Sequence, residues 1–194
     1  MIRSLVLTAM AFTFTLVSGC AGSPQSSFYT LSPEPGKQAL SVGASPKAIT
    51  IVAVSVPEMV DRPQFVLRVN ENQVSLDEFA RWADPLKSQI RRVIAADLAL
   101  QFPDALVYPN SGAPDPASTY QVSVDVQSFE SVTGEAATVS VLWSVKPLKG
   151  APVSGRTVVR ELTKTAGYDA LVSAHSRALA AVSSDIAAAI HSTQ

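Results

Sequence analysis

The segment TYQVSVDVQSF, residues 119–129, sets Tyr120, Val122, Val124 and Val126 against Gln121, Ser123, Asp125 and Gln127. Apolar residues at every second position put one face of a strand in a core and the other in water. Downstream, Ala137 to Val145 and Arg156 to Thr165 continue the pattern, with turns at Thr133-Gly134-Glu135 and from Gly150 to Gly155. Three successive strands joined by short turns predict an antiparallel meander. The period then changes: from Tyr168 to Ile190, the residues Leu171, Ala178, Val182, Ile186 and Ala189 form one helical stripe.

Upstream, ITIVAVSV (49–56) is almost continuously apolar and β-branched, a buried strand closed by Pro57. Gln64 to Val69 and Gln73 to Leu76 flank Asn70-Glu71-Asn72, the composition of a hairpin turn. A helix follows, with Asp84 as cap and Pro85 in the first turn, where no amide donor is needed. Leu86, Ile90, Val93, Ile94 and Leu100 fall on its apolar face, opposite Lys87, Ser88, Arg91 and Arg92. Asp77 to Trp82 reads as a short helical turn ahead of it. Phe28 to Leu31 and Leu106 to Tyr108 are short β-prone runs, and Asn110 to Ser118 is a loop. The expected fold is α+β: a single domain, with a largely antiparallel mixed sheet and two long helices packed on one face.

At the N-terminus, Arg3 precedes an apolar run of roughly 13 residues, short of the ~20 that span a bilayer, so it reads as a signal-peptide core. Leu16-Val17-Ser18-Gly19-Cys20 resembles the lipobox of bacterial lipoproteins, and Cys20 is the one cysteine of the chain. That resemblance implies cleavage before Cys20, a diacylglycerol thioether on its sulfur and an N-acyl chain of the palmitate kind. Ala21, where an aspartate would favour inner-membrane retention, implies the periplasmic face of the outer membrane. The expected organisation is a signal peptide at 1–19, a lipidated N-terminus and tether at 20–47, and the folded domain at 48–194. One thiol excludes an internal disulfide, so the fold rests on its core.

Cleavage leaves 175 of 194 residues, enough for one core. Fifteen basic residues stand against 16 acidic ones, which leaves no electrostatic footprint for nucleic acid. Charged residues are only 16% of the chain and apolar ones 47%, a balance compatible with docking or self-association.

Catalytic material is sparse. No phosphate loop, nucleophile elbow or zinc-type spacing is present. Ser173 and His175 are two residues apart on a helix and point to different faces, so they cannot act as nucleophile and base. His175 reads as a core histidine. Asp97 falls at the centre of the first helix's apolar stripe, where a loop amide or an arginine such as Arg68 or Arg160 is needed to satisfy it.

The lipobox, Phe28-Tyr29-Thr30-Leu31, Ile49 to Pro57, Asp61-Arg62-Pro63-Gln64-Phe65-Val66-Leu67-Arg68, Glu78-Phe79-Ala80-Arg81-Trp82-Ala83-Asp84-Pro85-Leu86 and Ser184-Asp185-Ile186-Ala187 occur in that order. Together they resemble the auxiliary lipoproteins of ABC-type transport systems, the family of paraquat-inducible protein C. The resemblance implies a non-enzymatic outer-membrane subunit with no cofactor beyond its lipid. It also implies partnership with an MCE-domain protein and its permease complex in intermembrane lipid transport, in support of envelope integrity. A sheet-and-two-helix lipoprotein also suits an assembly factor for outer-membrane components such as lipopolysaccharide.

Asp61, Arg62, Pro63, Arg68 and Trp82 are the candidate partner-binding residues, since an arginine-proline turn beside a sheet edge offers rigid backbone and fixed donors. Trp82 is also expected to fix the start of the first helix by packing on Phe79 or Leu86. A homo-oligomer closed as a ring would suit docking onto a tunnel-shaped partner.

Overall fold

The alternation at 120–126 becomes one face of the sheet on which the molecule is built. A computed structural model describes residues 24–34, 46–109 and 120–193. Among the described residues, eight strands are β1 (Ser27–Tyr29), β2 (Ala48–Ser55), β3 (Gln64–Asn70), β4 (Gln73–Trp82), β5 (Leu106–Tyr108), β6 (Tyr120–Val132), β7 (Ala136–Pro147) and β8 (Val153–Leu162). The helices are α1 (Leu86–Gln101) and α2 (Tyr168–Ser192).

The strands divide over two sheets rather than one. Five form the order β5-β2-β6-β7-β8, antiparallel from β6 to β8, with β2 parallel to both its neighbours. The central, parallel place of β2 explains its unbroken apolar run, since both faces are covered near its start. The other three form β1-β4-β3, in which β3 and β4 are the expected hairpin and β1 runs parallel to β4. Asn72 N–H donates to Asn70 Oδ1 at 3.0 Å in the hairpin turn. The fold is α+β, as the sequence predicts.

Both helices lie on one face of the larger sheet, α2 along β7 and β8 and α1 against β2 and β5. Val122, Val124, Val126, Val139, Val141 and Val145 point into that layer, where they meet Leu171, Leu179 and Ile186 of α2 in the core. A bulge between Val126 and Ser128 breaks strict alternation, and so Phe129 returns to the core face. Trp143 lies flat over Gly155, where a Cβ would come within 2.3 Å of the indole ring. Glycine is required there by contact.

Three local expectations are corrected. Residues 77–82 are strand, the end of β4, and not a helical turn. Asp77 Oδ1 accepts from the amides of Phe79 and Ala80 at 2.8 and 2.9 Å, the pattern of a helix start, but inside a β-bulge. Asp84 does not cap α1, because its carboxylate turns to Arg92 Nη2 at 3.0 Å. Leu100 is 55% exposed, because Leu98, Gln101 and Phe102 are the residues that the end of α1 turns inward.

Between the sheets runs a column of rings. Tyr29 meets Phe65 and Tyr168, Phe65 stacks on Trp82 at 4.3 Å, Trp82 sets its edge on Phe129, and Phe129 stacks on His175 at 3.8 Å. These contacts fasten the small sheet to β6 and α2. Tyr168 Oη donates to Asp77 Oδ2 at 2.5 Å and adds a second fastening. That bond holds the Asp77 carboxyl below its usual range, while burial first, and then the bond, pushes the Tyr168 phenol upward.

Candidate functional site

Pro57 closes β2, and the chain makes one tight turn in which Val60 and Asp61 N–H donate to the Pro57 carbonyl at 3.0 and 3.1 Å. Val60 is buried beneath the turn, which leaves Asp61 and Arg62 on the surface. Pro63 is held by its carbonyl, which accepts from Trp82 N–H at 2.7 Å. These residues form one wall of a cleft of about 470 Å³; Phe28 and Arg81 form another, and the start of α1 at Pro85 closes the end. Arg81 Nε is buried and meets no hydrogen-bond acceptor.

The expected contact residues therefore separate. Asp61, Arg62, Pro63 and Trp82 share the cleft, but Trp82 is only 5% exposed and serves as its floor. Its rings of contact are Phe65 and Phe129, whereas Phe79 is 45% exposed and points away. Arg68 does not belong to the cleft; its guanidinium reaches Glu130 on β6 at 2.6 Å and links the two sheets. Cys20 lies outside the described residues. Phe28 and Arg81 were missed as cleft residues. The sequence marks Phe28 only as a β-prone residue, and the helix-like pattern at Asp77 hides the strand position of Arg81.

Asp97 is buried, and its two oxygens accept from Glu34 N–H and Ser183 Oγ–H, each at 3.0 Å. The loop amide is the partner the sequence called for. The arginines are not, since Arg160 pairs with Glu135 on the sheet surface. Burial raises the Asp97 carboxyl to about 6, against the lowering effect of its two hydrogen bonds. His175 is fully buried, with Nε2 2.8 Å from Ser131 Oγ, and burial lowers its imidazole to about 3. Ser131 and His175 sit as a nucleophile and base would, but both are sealed from any substrate. Ser173 is exposed on another face of α2, as its spacing from His175 requires. Among the described residues, no group of three His, Cys, Asp or Glu side chains could hold a metal ion.

The next segment is a strap. After β1, Leu31 N–H donates to Gln89 Oε1 at 2.8 Å, Ser32 N–H to Ser176 Oγ at 3.2 Å, and Glu34 N–H to Asp97 Oδ1 at 3.0 Å. Gln89 uses its other end to donate to the Asp84 carbonyl at 2.9 Å. Residues 27–34 are thereby tied to β4, α1 and α2 together.

The fold is thus an α+β body whose surface carries a cleft lined by both apolar and charged residues. Residues 29–187 match the model of one family, the ABC-type transport auxiliary lipoprotein component. The chain belongs to that family, which carries a transport-associated accessory role and a membrane-associated place in the cell envelope. No helix among the described residues is long and apolar enough to cross a membrane. No curated protein sequence matches the chain.

Two crystal structures share the fold. An uncharacterized protein is similar at 22% identity and a TM-score of 0.72, covering 86% of this chain and 99% of its own. Protein XCC0632 from Xanthomonas campestris, of family DUF330, is similar at 17% identity and a TM-score of 0.62, covering 87% and 98%.

Proposed function

We propose that this chain is a non-catalytic, outer-membrane-anchored subunit of an ABC-type intermembrane lipid transport system of the MCE kind. The observation that carries the reading is the match to an auxiliary lipoprotein family across 29–187. Its companion in the sequence is the lipobox that ends at Cys20. In this reading residues 1–19 are removed, Cys20 takes the acyl chains, and Ala21 sends the protein to the outer membrane. The body then acts by docking, with the periplasmic end of an MCE-domain protein and its permease as partners. Self-association into a ring belongs to the same reading. Of the candidate contact residues, Asp61, Arg62 and Pro63 lie on the exposed surface, while Trp82 and Arg68 act by holding that surface in shape.

The test is purification of the native protein from its own membranes in mild detergent. Recovery of an MCE-domain protein with a permease is the expected result. Recovery with lipopolysaccharide-assembly proteins alone would replace this reading with the assembly-factor one.

A further inference from the structure

We infer that the cleft between the Asp61–Pro63 turn and Phe28 faces the bilayer and rests on the phospholipid headgroups of the membrane that holds the anchor. This rests on the reading of Cys20 as lipidated.

The inference follows from chain length and from the strap. Hydrogen bonds to Gln89, Ser176 and Asp97 fix residues 27–34 on the body, so β1 cannot swing away from it. Eight residue steps separate Cys20 from Phe28, at most about 29 Å of fully extended chain and about 16 Å for a flexible Gly/Ser-rich one. A folded body of this size is about 40 Å across. The tether is thus too short to present β1 on the far side, and the surface around Phe28 is held at the membrane.

That surface has the chemistry for the place. Phe28 is 64% exposed and sets its ring on the wall of the cleft. Met59, on the turn leading into the cleft, is also exposed. Pro63 and Pro85 add apolar wall without amide donors. Arg62 and Arg81 stand beside them as partners for phosphate, and Arg81 Nε is a buried donor without an acceptor. Asp61 is an anion on the same rim, whereas the Asp84 carboxylate is engaged by Arg92. A rim of both signs around an apolar floor is complementary to a zwitterionic headgroup such as phosphatidylethanolamine. The protein partners of the transport system then meet the remaining faces of the body.

The test uses the mature lipidated protein in vesicles of phosphatidylethanolamine and phosphatidylglycerol. Cys20 is the one native thiol and is capped by its lipid, so a spin label on Phe28→Cys is unique. Leu148→Cys is the control, in the turn after β7 and about 30 Å of strand away from the level of Phe129, on which Trp82 packs. Moving from detergent into vesicles should cut collisions of the position-28 label with an aqueous nickel chelate several-fold. Its oxygen collisions should rise, and position 148 should not change. Adding Arg62→Glu should restore chelate access at position 28.

A lipidated, vesicle-bound protein whose position 28 stays as accessible as position 148 overturns the inference alone. Protection that is already present in detergent and grows with protein concentration assigns the cleft to a second copy, and overturns it as well. A Cys20 thiol that reacts with maleimide in the mature protein overturns the anchor reading, and this inference with it.

Discussion

Asp97 and His175 lie on neighbouring helices, and their burial moves the pH dependence of folding in opposite directions. Asp97 has a folded pKa of about 6 against an ordinary value of 3.8. Its folded state holds the proton more tightly, so its contribution is present below pH 4 and lost as pH rises through about 6. His175 has a folded pKa of about 3 against 6.5. Its contribution is present above pH 6.5 and is lost on acidification toward pH 3. Each effect is on the order of 2–3 kcal/mol between pH 7 and pH 4, so they largely offset one another. Asp97→Asn, which keeps an acceptor for Glu34 N–H, should be more stable than the parent at pH 7.5 and should lose stability more steeply on acidification. His175→Phe, which keeps the stack on Phe129, should invert the slope and be more stable at pH 5 than at pH 7. Urea midpoints across this range measure both, and parallel profiles for parent and variants would refute the assignment. Trp82→Ala should cost about 3–5 kcal/mol, because a fully enclosed ring between Phe65 and Phe129 leaves a cavity that neither sheet can close. An unchanged thermal midpoint would show that the two sheets do not depend on it.

The strap and the bulged end of β4 show how short polar contacts set the position of whole elements. Gln89 sits buried on α1 and satisfies the Leu31 amide and the Asp84 carbonyl at once. Gln89→Leu preserves bulk but leaves the buried Leu31 amide without its partner, worth about 1–3 kcal/mol. The expected result is a lower melting temperature together with faster protease cleavage within residues 24–34, because the strap loses its central tie. Cleavage at the parent's rate would mean that Ser176 and Asp97 hold the strap unaided. The bulge matters in a similar way. Asp77 gathers two amides locally, which resembles a helix start in sequence, but the register with β3 and the Tyr168 bond keep the segment extended.

At the scale of the whole molecule, the proposed function asks for a folded body and for one lipidated residue, Cys20. No described helix can replace a lipid anchor, and 15 basic against 16 acidic residues supply no polybasic attachment to anionic lipid. Cys20→Ser should therefore appear as an unprocessed precursor or as protein released from the membrane, while the body keeps its thermal unfolding. Membrane fractionation with a carbonate wash checks this, and outer-membrane retention of a normally processed variant would refute the lipobox. Released protein that still recovers its transport partners would separate docking from anchoring.

The chain's periodicities determined the α+β class, the order of the long elements and the meander from β6 to β8. Those features depend on neighbours within a few residues, and burial of one face imposes period two or 3.6 on the chain. The need of Asp97 for a partner, a loop amide or an arginine, was legible for the same reason, since its place on the helical stripe follows from spacing alone; only the fold chose the amide of Glu34. Spacing could not show that the strands part into two sheets, or that Trp82 is a floor and Arg68 a link between sheets. Nor could it show that Phe28 and Arg81 share a wall with Arg62. These depend on contacts between residues tens of positions apart, chosen by the packing of the rings from Tyr29 to His175. The same packing ties residues 27–34 to β4, α1 and α2.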